Sequence, residues 1–330
     1  MKEVLNKLFK YQSLSKDEAF TILSNLATGQ YNNSQMAAFM TVYLMRSITV
    51  EELEGFRDAM LELCVKVPGE NYDAIDLCGT GGDGKNTFNI STLSSFVVAG
   101  AGQNVVKHGN YGVSSVSGSS NVLESMGAKF SNDVDQIKKS IEQSGICFLH
   151  APLFHPAMKN VGPVRRELGI KTFFNMLGPM VNPAFPKNQL VGVFSLELAR
   201  LYGYLYQNTD KNFMIVHSLD GYDEVSLTGG FKIISRNEEA VYEPEDIGLK
   251  RLTQEQLHGG DTVEDSAKIF RQVLNNEGTE AQEQAILANA GLAIATGKQI
   301  SIQQGIEQAR ESLNSGKALE SFKNFLAVNQ

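Results

Sequence analysis

The chain has 330 residues, of which 42% are hydrophobic and 20% charged, as in an ordinary globular protein with a sizeable core. Its formal net charge of −8 at pH 7 argues against general nucleic-acid binding, which relies on surplus lysine and arginine. Any phosphate must therefore be bound at a local site. The chain start lacks the apolar core of a signal peptide, and no segment reaches the ~18 apolar residues of a membrane span. We expect a cytoplasmic protein that contacts neither membranes nor nucleic acids.

The first 66 residues have the pattern of a helical segment. Two capping boxes, Ser15 with Glu18 and Thr49 with Glu52, predict helix starts. Between them, apolar residues recur at helical spacing, which is typical of a core or a subunit contact: Met36, Phe39, Met40, Tyr43 and Leu44. The three cysteines, Cys64, Cys78 and Cys147, are far apart and show no metal-binding spacing. We expect them to be reduced, buried thiols.

From about residue 70 onward, short apolar runs alternate with amphipathic segments. The runs predict strands at 74–78, 104–109, 146–152, 189–194 and 212–218. The amphipathic segments predict helices at 89–102, 119–127, 133–145, 197–208, 281–297 and 302–316. This alternation is typical of an α/β fold with a mostly parallel central sheet.

One stretch interrupts the alternation. Residues 165–183, RRELGIKTFFNMLGPMVNP, begin helically and then meet Pro179 and Pro183. We interpret this stretch as an insertion that packs with the first helices. The predicted domains are a small helical domain, 1–66 plus about 163–183, and a large α/β domain, 70–162 and 184–330.

The glycine-rich stretch GTGGDGKNTFNIST, residues 79–92, joins a predicted strand to a predicted helix. Such a turn lets backbone N–H groups converge on an anion, and the following helix N-terminus adds partial positive charge. The spacing matches neither GxxxxGK[ST] nor GxGxxG, so the familiar nucleotide loops are not indicated. Asn89, Ser91 and Thr92 lie at the helix start, where one of them would cap the helix.

A second strand, loop and helix follow in KHGNYGVSSVSGSSNVLE, residues 107–124. Lys107 is a cation at the strand end, and several serine hydroxyls lie near the helix start. Two anion-binding loops in one sheet predict a ligand with two anionic groups. For His108, a structural role is as compatible with the pattern as a catalytic one.

Two charged pairs complete the candidate site. Asp223 and Glu224 follow a strand; alone they would indicate a solvated turn, but beside phosphate loops they predict Mg²⁺ binding, since Mg²⁺ prefers one or two carboxylates plus phosphate oxygens. Arg165 and Arg166 lie at the insertion. A guanidinium there could grip a carboxylate through two parallel hydrogen bonds, or form a surface salt bridge.

Four motifs in one order carry a resemblance that spans nearly the whole chain: DLCGTGGDGKNTFNIST, KHGNYGVSSVSGSSNVLE, HPAMKNVGPVRRELGIKTFFNMLGPMVNP and GYDEVSLTG. Together they resemble the anthranilate phosphoribosyltransferases of tryptophan biosynthesis. The resemblance implies transfer of a phosphoribosyl group from 5-phosphoribosyl 1-pyrophosphate to the amine of anthranilate, with release of pyrophosphate. It also implies the fold of the class III nucleoside phosphorylases, with a cleft between a helical and an α/β domain. A homodimer formed through the helical domain, and Mg²⁺ as cofactor with two ions per monomer, are further implications.

The resemblance also assigns roles to individual residues. Contacts with phosphoribosyl pyrophosphate are implied for Gly79, Gly82, Asp83, Thr87, Asn89, Ile90, Ser91, Thr92, Lys107, His108, Gly109, Asn110, Ser114, Ser115 and Ser119. Contacts with anthranilate are implied for Gly79, Asn110, His155 and Arg165. Ser91, Asp223 and Glu224 would hold Mg²⁺. No residue is an obligate catalytic base, and His108 is the candidate if one exists.

Four positions depart from the commonest pattern of the family. Tyr111 stands where arginine is usual, Val116 where a basic residue is frequent, Asn121 where aspartate is usual, and Met158 where an aromatic residue is common. The first three alter the charges of the loop expected to grip pyrophosphate.

Two other functions compete with this interpretation. A pyrimidine nucleoside phosphorylase of the same fold would carry a KxSGRG-like loop, whereas KHGNYG stands here. A nucleic-acid-binding paralogue is opposed by the net charge of −8 and by the intact Asp223–Glu224 pair.

Overall fold

The computed structural model describes residues 1–67, 72–112 and 116–330, which form two compact units. The helical unit comprises Met1–Lys66 and Pro152–Pro183. The sheet unit comprises Val67–Ala151 and Ala184–Gln330. The second segment of the helical unit thus begins at Pro152, earlier than the start near residue 163 that the sequence suggested.

The helical unit contains short helices that the sequence pattern anticipates. Its α-helices are α1 (Lys2–Leu8), α2 (Lys16–Ala27), α3 (Asn33–Met45), α4 (Val50–Glu62), α8 (Ala151–Phe154, which starts at the unit boundary) and α9 (Gly162–Leu168). Short 3-10 helices cover Pro156–Lys159, Phe173–Met176 and Gly178–Met180. Both predicted capping boxes are confirmed: the Ser15 and Thr49 hydroxyls accept from the backbone N–H of Glu18 and Glu52, respectively.

Aromatic rings bring the two chain segments of this unit together. Phe39 of α3 and Phe56 of α4 are fully buried, and Phe56 stacks on Phe173 with ring centroids 4.6 Å apart. Tyr43 meets Phe173 edge-on at 5.2 Å. Burying these rings removes a large apolar area from water. The insertion therefore packs with the N-terminal helices because Phe173 completes their core.

In the residues that the structure describes, the sheet unit is built on seven strands. They are β1 (Ile75–Gly79), β2 (Val105–Gly109), β3 (Ile146–His150), β4 (Asn188–Gly192), β5 (Asn212–Ser218), β6 (Phe231–Ser235) and β7 (Glu239–Tyr242). Their order in the sheet is β3-β2-β1-β4-β5-β6-β7. The first five strands pair in parallel, whereas β6 and β7 pair antiparallel at one edge. The mostly parallel α/β fold expected from the sequence is confirmed.

Helices accompany this sheet along the chain. They are α5 (Ile90–Gly100), α6 (Ser119–Ser125), α7 (Val134–Ser144), α10 (Leu196–Gln207), α11 (Val263–Leu274), α12 (Glu280–Lys298), α13 (Ile302–Asn314) and α14 (Lys317–Val328). Helix α12 is buried along most of its length, which explains its nearly continuous Ala, Leu and Ile composition. In the described part of the chain, no helix combines the length and the apolar character needed to cross a membrane.

Among the described elements that the sequence analysis did not predict are β6, β7, α8, α11 and α14. Strand β7 is half exposed, and its sequence EAVY has no clear alternation of apolar and polar residues. The three cysteines are free thiols; Cys64 and Cys147 are buried and Cys78 is half-buried.

The strand order creates one place suited to ligand binding. Strand β1 lies between β2 and β4. The chain adds β2 and β3 on one side of β1, and then adds β4 and the later strands on its other side. In an open parallel sheet, loops diverge at such a switch point and leave a crevice at the carboxyl ends of the strands. The glycine-rich loop follows the carboxyl end of β1.

Candidate functional site

The loop that carries Asp223 and Glu224 lies across the carboxyl ends of β1 and β4. A Cβ atom on Gly192, the last residue of β4, would overlap the carbonyl oxygen of Asp223. A Cβ atom on Gly79, the last residue of β1, would overlap the Asp223 carboxylate. Both strands therefore need glycine at this end, because the carboxylate loop approaches their backbones too closely for a side chain.

The two carboxylates are bound to backbone N–H groups of the first loop and helix α5. Asp223 Oδ2 accepts from the N–H of Gly81 at 2.6 Å. Glu224 Oε1 accepts from the N–H of Ser91 in the first turn of α5, at 3.0 Å. Asp223 is buried, so a solvated turn is the wrong description of this pair. Glu224 satisfies a helix-start donor that we expected a local side chain to cap.

Burial and crowding disfavour charge on both groups. Burial, followed by the nearby Asp83 carboxylate, raises the pKa of Asp223 to about 7. Burial, followed by Asp223, raises the pKa of Glu224 well above its ordinary value. Like charges held together in a poorly solvated place favour a proton or a cation between them. The site is thus prepared for a positive group.

The first loop, residues 80–89, presents backbone to open space. Gly81, Gly82 and Gly84 have φ values of +68°, +76° and +75°, which favour glycine. A Cβ on Gly81 or Gly84 would meet no atom of the described residues within 4 Å. The Asp83 carboxylate accepts from the N–H of Lys85 at 3.0 Å and so closes a tight turn. Space in front of these glycines is what an anion-binding loop requires.

The far half of this loop is fastened to the segment before α11. Thr87 forms an isolated antiparallel bridge with His258. The Asn86 amide donates to the carbonyl oxygen of Gly260 at 2.8 Å, and Phe88 N–H donates to the carbonyl oxygen of Leu257 at 3.0 Å. These bonds hold the end of the loop that leads into α5, whereas Gly81 and Gly84 at the other end face open space among the described residues.

Lys107 supplies a buried cation beneath the loop. Its ammonium donates to the carbonyl oxygen of Leu77 on β1 at 2.5 Å and lies 3.4 Å from the hydroxyl of Ser91. The side chain is 2% exposed. It therefore joins β1, β2 and the start of α5, and places its charge beside the Asp223–Glu224 pair.

The second loop, residues 110–118, is closed by nearby side chains. Asn121 Oδ1 accepts from the N–H groups of Gly112 at 2.9 Å and Gly118 at 3.0 Å. Asn110 N–H donates to the hydroxyl of Ser119 at 3.2 Å. Ser114 and Ser115, predicted phosphate contacts, lie outside the described residues. Tyr111 packs edge-on against His150, with centroids 4.8 Å apart.

One side chain connects the two loops. Asn89 is the residue before α5, but its side chain does not cap that helix. Instead the amide donates to the carbonyl oxygen of Ser117 at 2.9 Å. The two predicted anion-binding loops are therefore in direct contact at this point.

The remaining predicted residues of the sheet unit occupy different environments. Ile90 and Thr92 are buried on α5, and the Ile90 side chain belongs to the apolar core. His108 is buried on β2, where its backbone N–H donates to Asp76 Oδ1 at 3.2 Å. Gly109 ends β2, and a Cβ there would overlap the Ser119 hydroxyl and the Phe148 ring.

The predicted anthranilate contacts Arg165 and His155 lie in the helical unit. The Arg165 guanidinium lies over the Phe174 ring, 5.1 Å from its centroid, and burial lowers its pKa. Among the described residues, no carboxylate comes within ion-pair distance of Arg165, so the surface salt bridge considered for it is absent there. His155 is buried, with Nε2 3.0 Å from the carbonyl oxygen of Val181, and burial lowers its pKa to about 4.

Sequence reasoning missed three supports of the carboxylate loop. Gly192 leaves room for Asp223, the Ser218 hydroxyl donates to the carbonyl oxygen of Glu224 at 2.6 Å, and Asn289 Oδ1 accepts from Val225 N–H at 3.0 Å. Gly192 carried a detectable signal, since an isolated glycine in a strand often marks a close backbone approach. Asn289, in the middle of the apolar helix α12, was the other available sign.

Comparison with known proteins agrees with this architecture. Residues 71–319 match the family described as "Glycosyl transferase family, a/b domain", and residues 2–64 match "Glycosyl transferase family, helical bundle domain". The chain therefore belongs to a glycosyltransferase family.

Individual relatives narrow the class. An anthranilate phosphoribosyltransferase from Christiangramia forsetii is 63% identical over 330 residues, 100% of both chains. The structure of anthranilate phosphoribosyltransferase from Thermus thermophilus is similar, with 32% identity, 98% of each chain covered and a TM-score of 0.92. That of the Saccharomyces cerevisiae enzyme in complex with PRPP and Mg has 27% identity, covers 98% of this chain and 96% of its own, and gives a TM-score of 0.90. The chain belongs to the anthranilate phosphoribosyltransferase family.

Proposed function

We propose that this protein transfers the phosphoribosyl group of 5-phosphoribosyl 1-pyrophosphate to anthranilate, the second step of tryptophan biosynthesis from chorismate. The amine nitrogen forms a bond to C1 of the ribose, the bond from C1 to the pyrophosphate oxygen breaks, and the amine loses a proton. The observation that carries the proposal is the junction of the first loop with the buried Asp223–Glu224 pair at the strand switch point. The 63% identity to a full-length relative of this name supports it.

The two loops would hold the phosphoribosyl pyrophosphate. The open space in front of Gly81 and Gly84 suits phosphate oxygens, and helix α5, which follows the loop, adds partial positive charge at its start. The Lys107 ammonium, 3.4 Å from the Ser91 hydroxyl, adds a full positive charge. In this arrangement Asn89, which links the loops, would keep the two anion-binding regions at a constant separation.

Magnesium fits the residues present. Asp223 and Glu224 each use one oxygen to accept a backbone N–H. Their pKa values are raised first by burial and then by neighbouring carboxylates, and a divalent cation would relieve that repulsion. In the described part of the chain, no group of three or more His, Cys, Asp or Glu side chains is arranged to hold a metal alone. A site with only a few protein oxygen ligands suits Mg²⁺ when substrate phosphates complete its shell. Asp223, Glu224 and the Ser91 hydroxyl would hold it, and bound Mg²⁺ would stabilise the charge that grows on pyrophosphate. Two ions per monomer remain a prediction.

Anthranilate would be positioned through its carboxylate. Arg165 is a partly desolvated guanidinium with no carboxylate partner among the described residues, so a ligand carboxylate could form two parallel hydrogen bonds with it. An aromatic amine is a weak nucleophile, and holding it near C1 of the ribose contributes more than a strong base would. Lys107 would stabilise the charge that develops on the leaving group. The homodimer and the cytoplasmic location expected from the sequence stay predictions.

Turnover tests this proposal directly. Anthranilate consumption, followed by fluorescence with phosphoribosyl pyrophosphate present, should require Mg²⁺. Thymidine with phosphate should give no reaction, and turnover of thymidine instead would favour a nucleoside phosphorylase. Tight nucleic-acid binding in a gel shift at physiological salt would count against both enzymes.

Two adjacent arginines provide a matched pair of variants. Arg165→Ala should raise KM for anthranilate by about tenfold or more, since hydrogen bonds to a charged partner are lost. KM for phosphoribosyl pyrophosphate should change little. Arg166, exposed on the same helix, is the control. Equal effects of Arg165→Ala on both substrates would remove Arg165 from the anthranilate site.

A further inference from the structure

Lys85 is a cation on the first loop that none of the roles above uses. It follows Gly84, and its backbone N–H is held by the Asp83 side chain. Its ammonium lies 4.5 Å from the centroid of the Tyr222 ring. Tyr222 is buried and directly precedes Asp223. The lysine side chain thus spans the distance between the first loop and the carboxylate loop.

The ammonium of Lys85 lies against the face of the Tyr222 ring. A Cβ atom on Gly221 would lie 4.0 Å from Lys85 Cε, so the lysine stem packs beside the segment that leads to Tyr222. Throughout the described ranges, Lys85 forms no ion pair. A tyrosine face attracts a cation only weakly compared with an ionised oxygen acceptor. The ammonium can therefore leave the ring for a stronger partner.

The charge balance of the sheet unit indicates what that partner is. Three carboxylates lie close to the first loop, those of Asp83, Asp223 and Glu224. The Lys107 ammonium already contacts the Leu77 carbonyl oxygen and the Ser91 hydroxyl. A ligand that bears both a phosphate and a pyrophosphate brings several more negative charges to this place. Lys85 follows Gly84, which faces open space among the described residues. Because the lysine stem is flexible, rotation of the side chain is enough to bring the ammonium to a ligand oxygen.

We propose that Lys85 is a phosphate-binding residue of this site, resting on the Tyr222 ring until a pyrophosphate or phosphate oxygen takes its ammonium. The inference rests on the proposed function and deepens it: it adds a contact for the leaving group from the first loop itself. The alternative is a structural strap, in which Lys85 only joins two loops through the ring.

The experiment compares three variants with the wild-type full chain. Lys85→Met removes the charge and keeps the stem, and Lys85→Arg restores a cation. Lys323→Met is the control, since Lys323 is an exposed residue of α14 that forms no ion pair within the described residues. Each is assayed for KM of both substrates, for kcat, and for binding of inorganic pyrophosphate with Mg²⁺ by calorimetry. Melting temperature reports any strap function separately.

We expect Lys85→Met to weaken pyrophosphate binding and to raise KM for phosphoribosyl pyrophosphate, each about tenfold, as for loss of one charged contact. KM for anthranilate should stay unchanged, and Lys85→Arg should recover most of the loss. Unchanged pyrophosphate binding in Lys85→Met, or a lower melting temperature with no change in KM, would overturn the proposal.

The binding arm separates this inference from the function on which it rests. Wild-type protein that binds pyrophosphate through Lys85 but does not turn over anthranilate would preserve the lysine's role and refute the proposed reaction. Normal turnover of anthranilate, with unchanged kinetics and pyrophosphate binding in Lys85→Met, would preserve the proposed reaction and refute the role of the lysine. Absence of both pyrophosphate binding and turnover in the wild type would refute both.

Discussion

The two loops of the sheet unit are held in place by different means. In the first, Gly81 is bonded to Asp223, 142 positions away, and the start of α5 is bonded to Glu224, 133 positions from Ser91. In the second, Asn121 accepts from Gly112, nine positions away, and Asn110 donates to Ser119, also nine positions away. These contacts of the first loop reach far along the chain, whereas these contacts of the second loop are local.

This difference has a functional consequence. The side chains that support the first loop are the ones proposed to bind Mg²⁺, so loop geometry and metal binding are coupled there. The second loop is supported by a neutral amide, and its geometry can be changed without changing the charge of the site. Perturbing the two supports should therefore produce different kinetic patterns.

The largest effect should come from Gly192→Ala. The new Cβ would overlap backbone atoms of Asp223, so the carboxylate loop must move away from β4. A displacement of about 1 Å in a catalytic arrangement can cost about 100-fold in rate, and we expect a loss of that order in kcat/KM. Gly203→Ala on α10, where the added Cβ would meet only Ile234 at 3.4 Å, is the control. Near-normal activity in Gly192→Ala would show that the first loop does not depend on this approach.

Asp223→Asn should have the next largest effect, and it separates charge from geometry. The amide oxygen can still accept from Gly81, but the negative charge is lost. The Mg²⁺ concentration for half-maximal activity should rise about tenfold, with a lower kcat. Asp223→Ala, which also loses the hydrogen bond, should be worse. The same Mg²⁺ titration in Asp223→Asn as in the wild type would show that this carboxylate binds no metal.

Asn121→Ala tests the second loop. Two N–H groups lose their acceptor, so the loop should become less ordered before substrate binds. We expect KM for phosphoribosyl pyrophosphate to rise several-fold, about the effect of one or two neutral hydrogen bonds, with an unchanged Mg²⁺ requirement. Asn121→Asp keeps both bonds and adds a charge, which makes it the companion variant. A shifted Mg²⁺ titration in Asn121→Ala would contradict the independence of the two loops.

The smallest effect on activity should come from His155→Gln, in the helical unit. Because burial lowers the pKa of His155 from 6.5 to about 4, the folded state disfavours its protonation. Stability is intact above pH 6.5 and falls as the pH drops toward 4, by up to about 3 kcal/mol for this group. Melting temperature measured between pH 7 and 4.5 should fall less in the variant. An equal fall in both proteins would show that another group controls acid sensitivity.

The sequence predicted elements best where a short window contains the whole signal. The capping boxes of α2 and α4 needed only four residues each, and both formed. The alternation of strands and helices predicted the parallel part of the sheet. Strand β7 was missed because EAVY has no clear alternation of apolar and polar residues. Helix α14 was missed although its buried Ala318, Phe322 and Phe325 recur at helical spacing. The cap of α5 was predicted wrongly, since its acceptor comes from Glu224.

By itself, the sequence determined that the protein has an α/β unit with two glycine- and serine-rich loops, a carboxylate pair and a helical segment. These follow from periodicity and residue type within a few positions. Only the tertiary structure decided that Asp223 is buried against Gly79 and Gly192, that Asn89 reaches Ser117, and that Lys85 rests on Tyr222. The physical reason is the strand order: β1 and β4 are neighbours in the sheet although more than a hundred residues separate them, and no local pattern encodes which side chains such neighbours bring together.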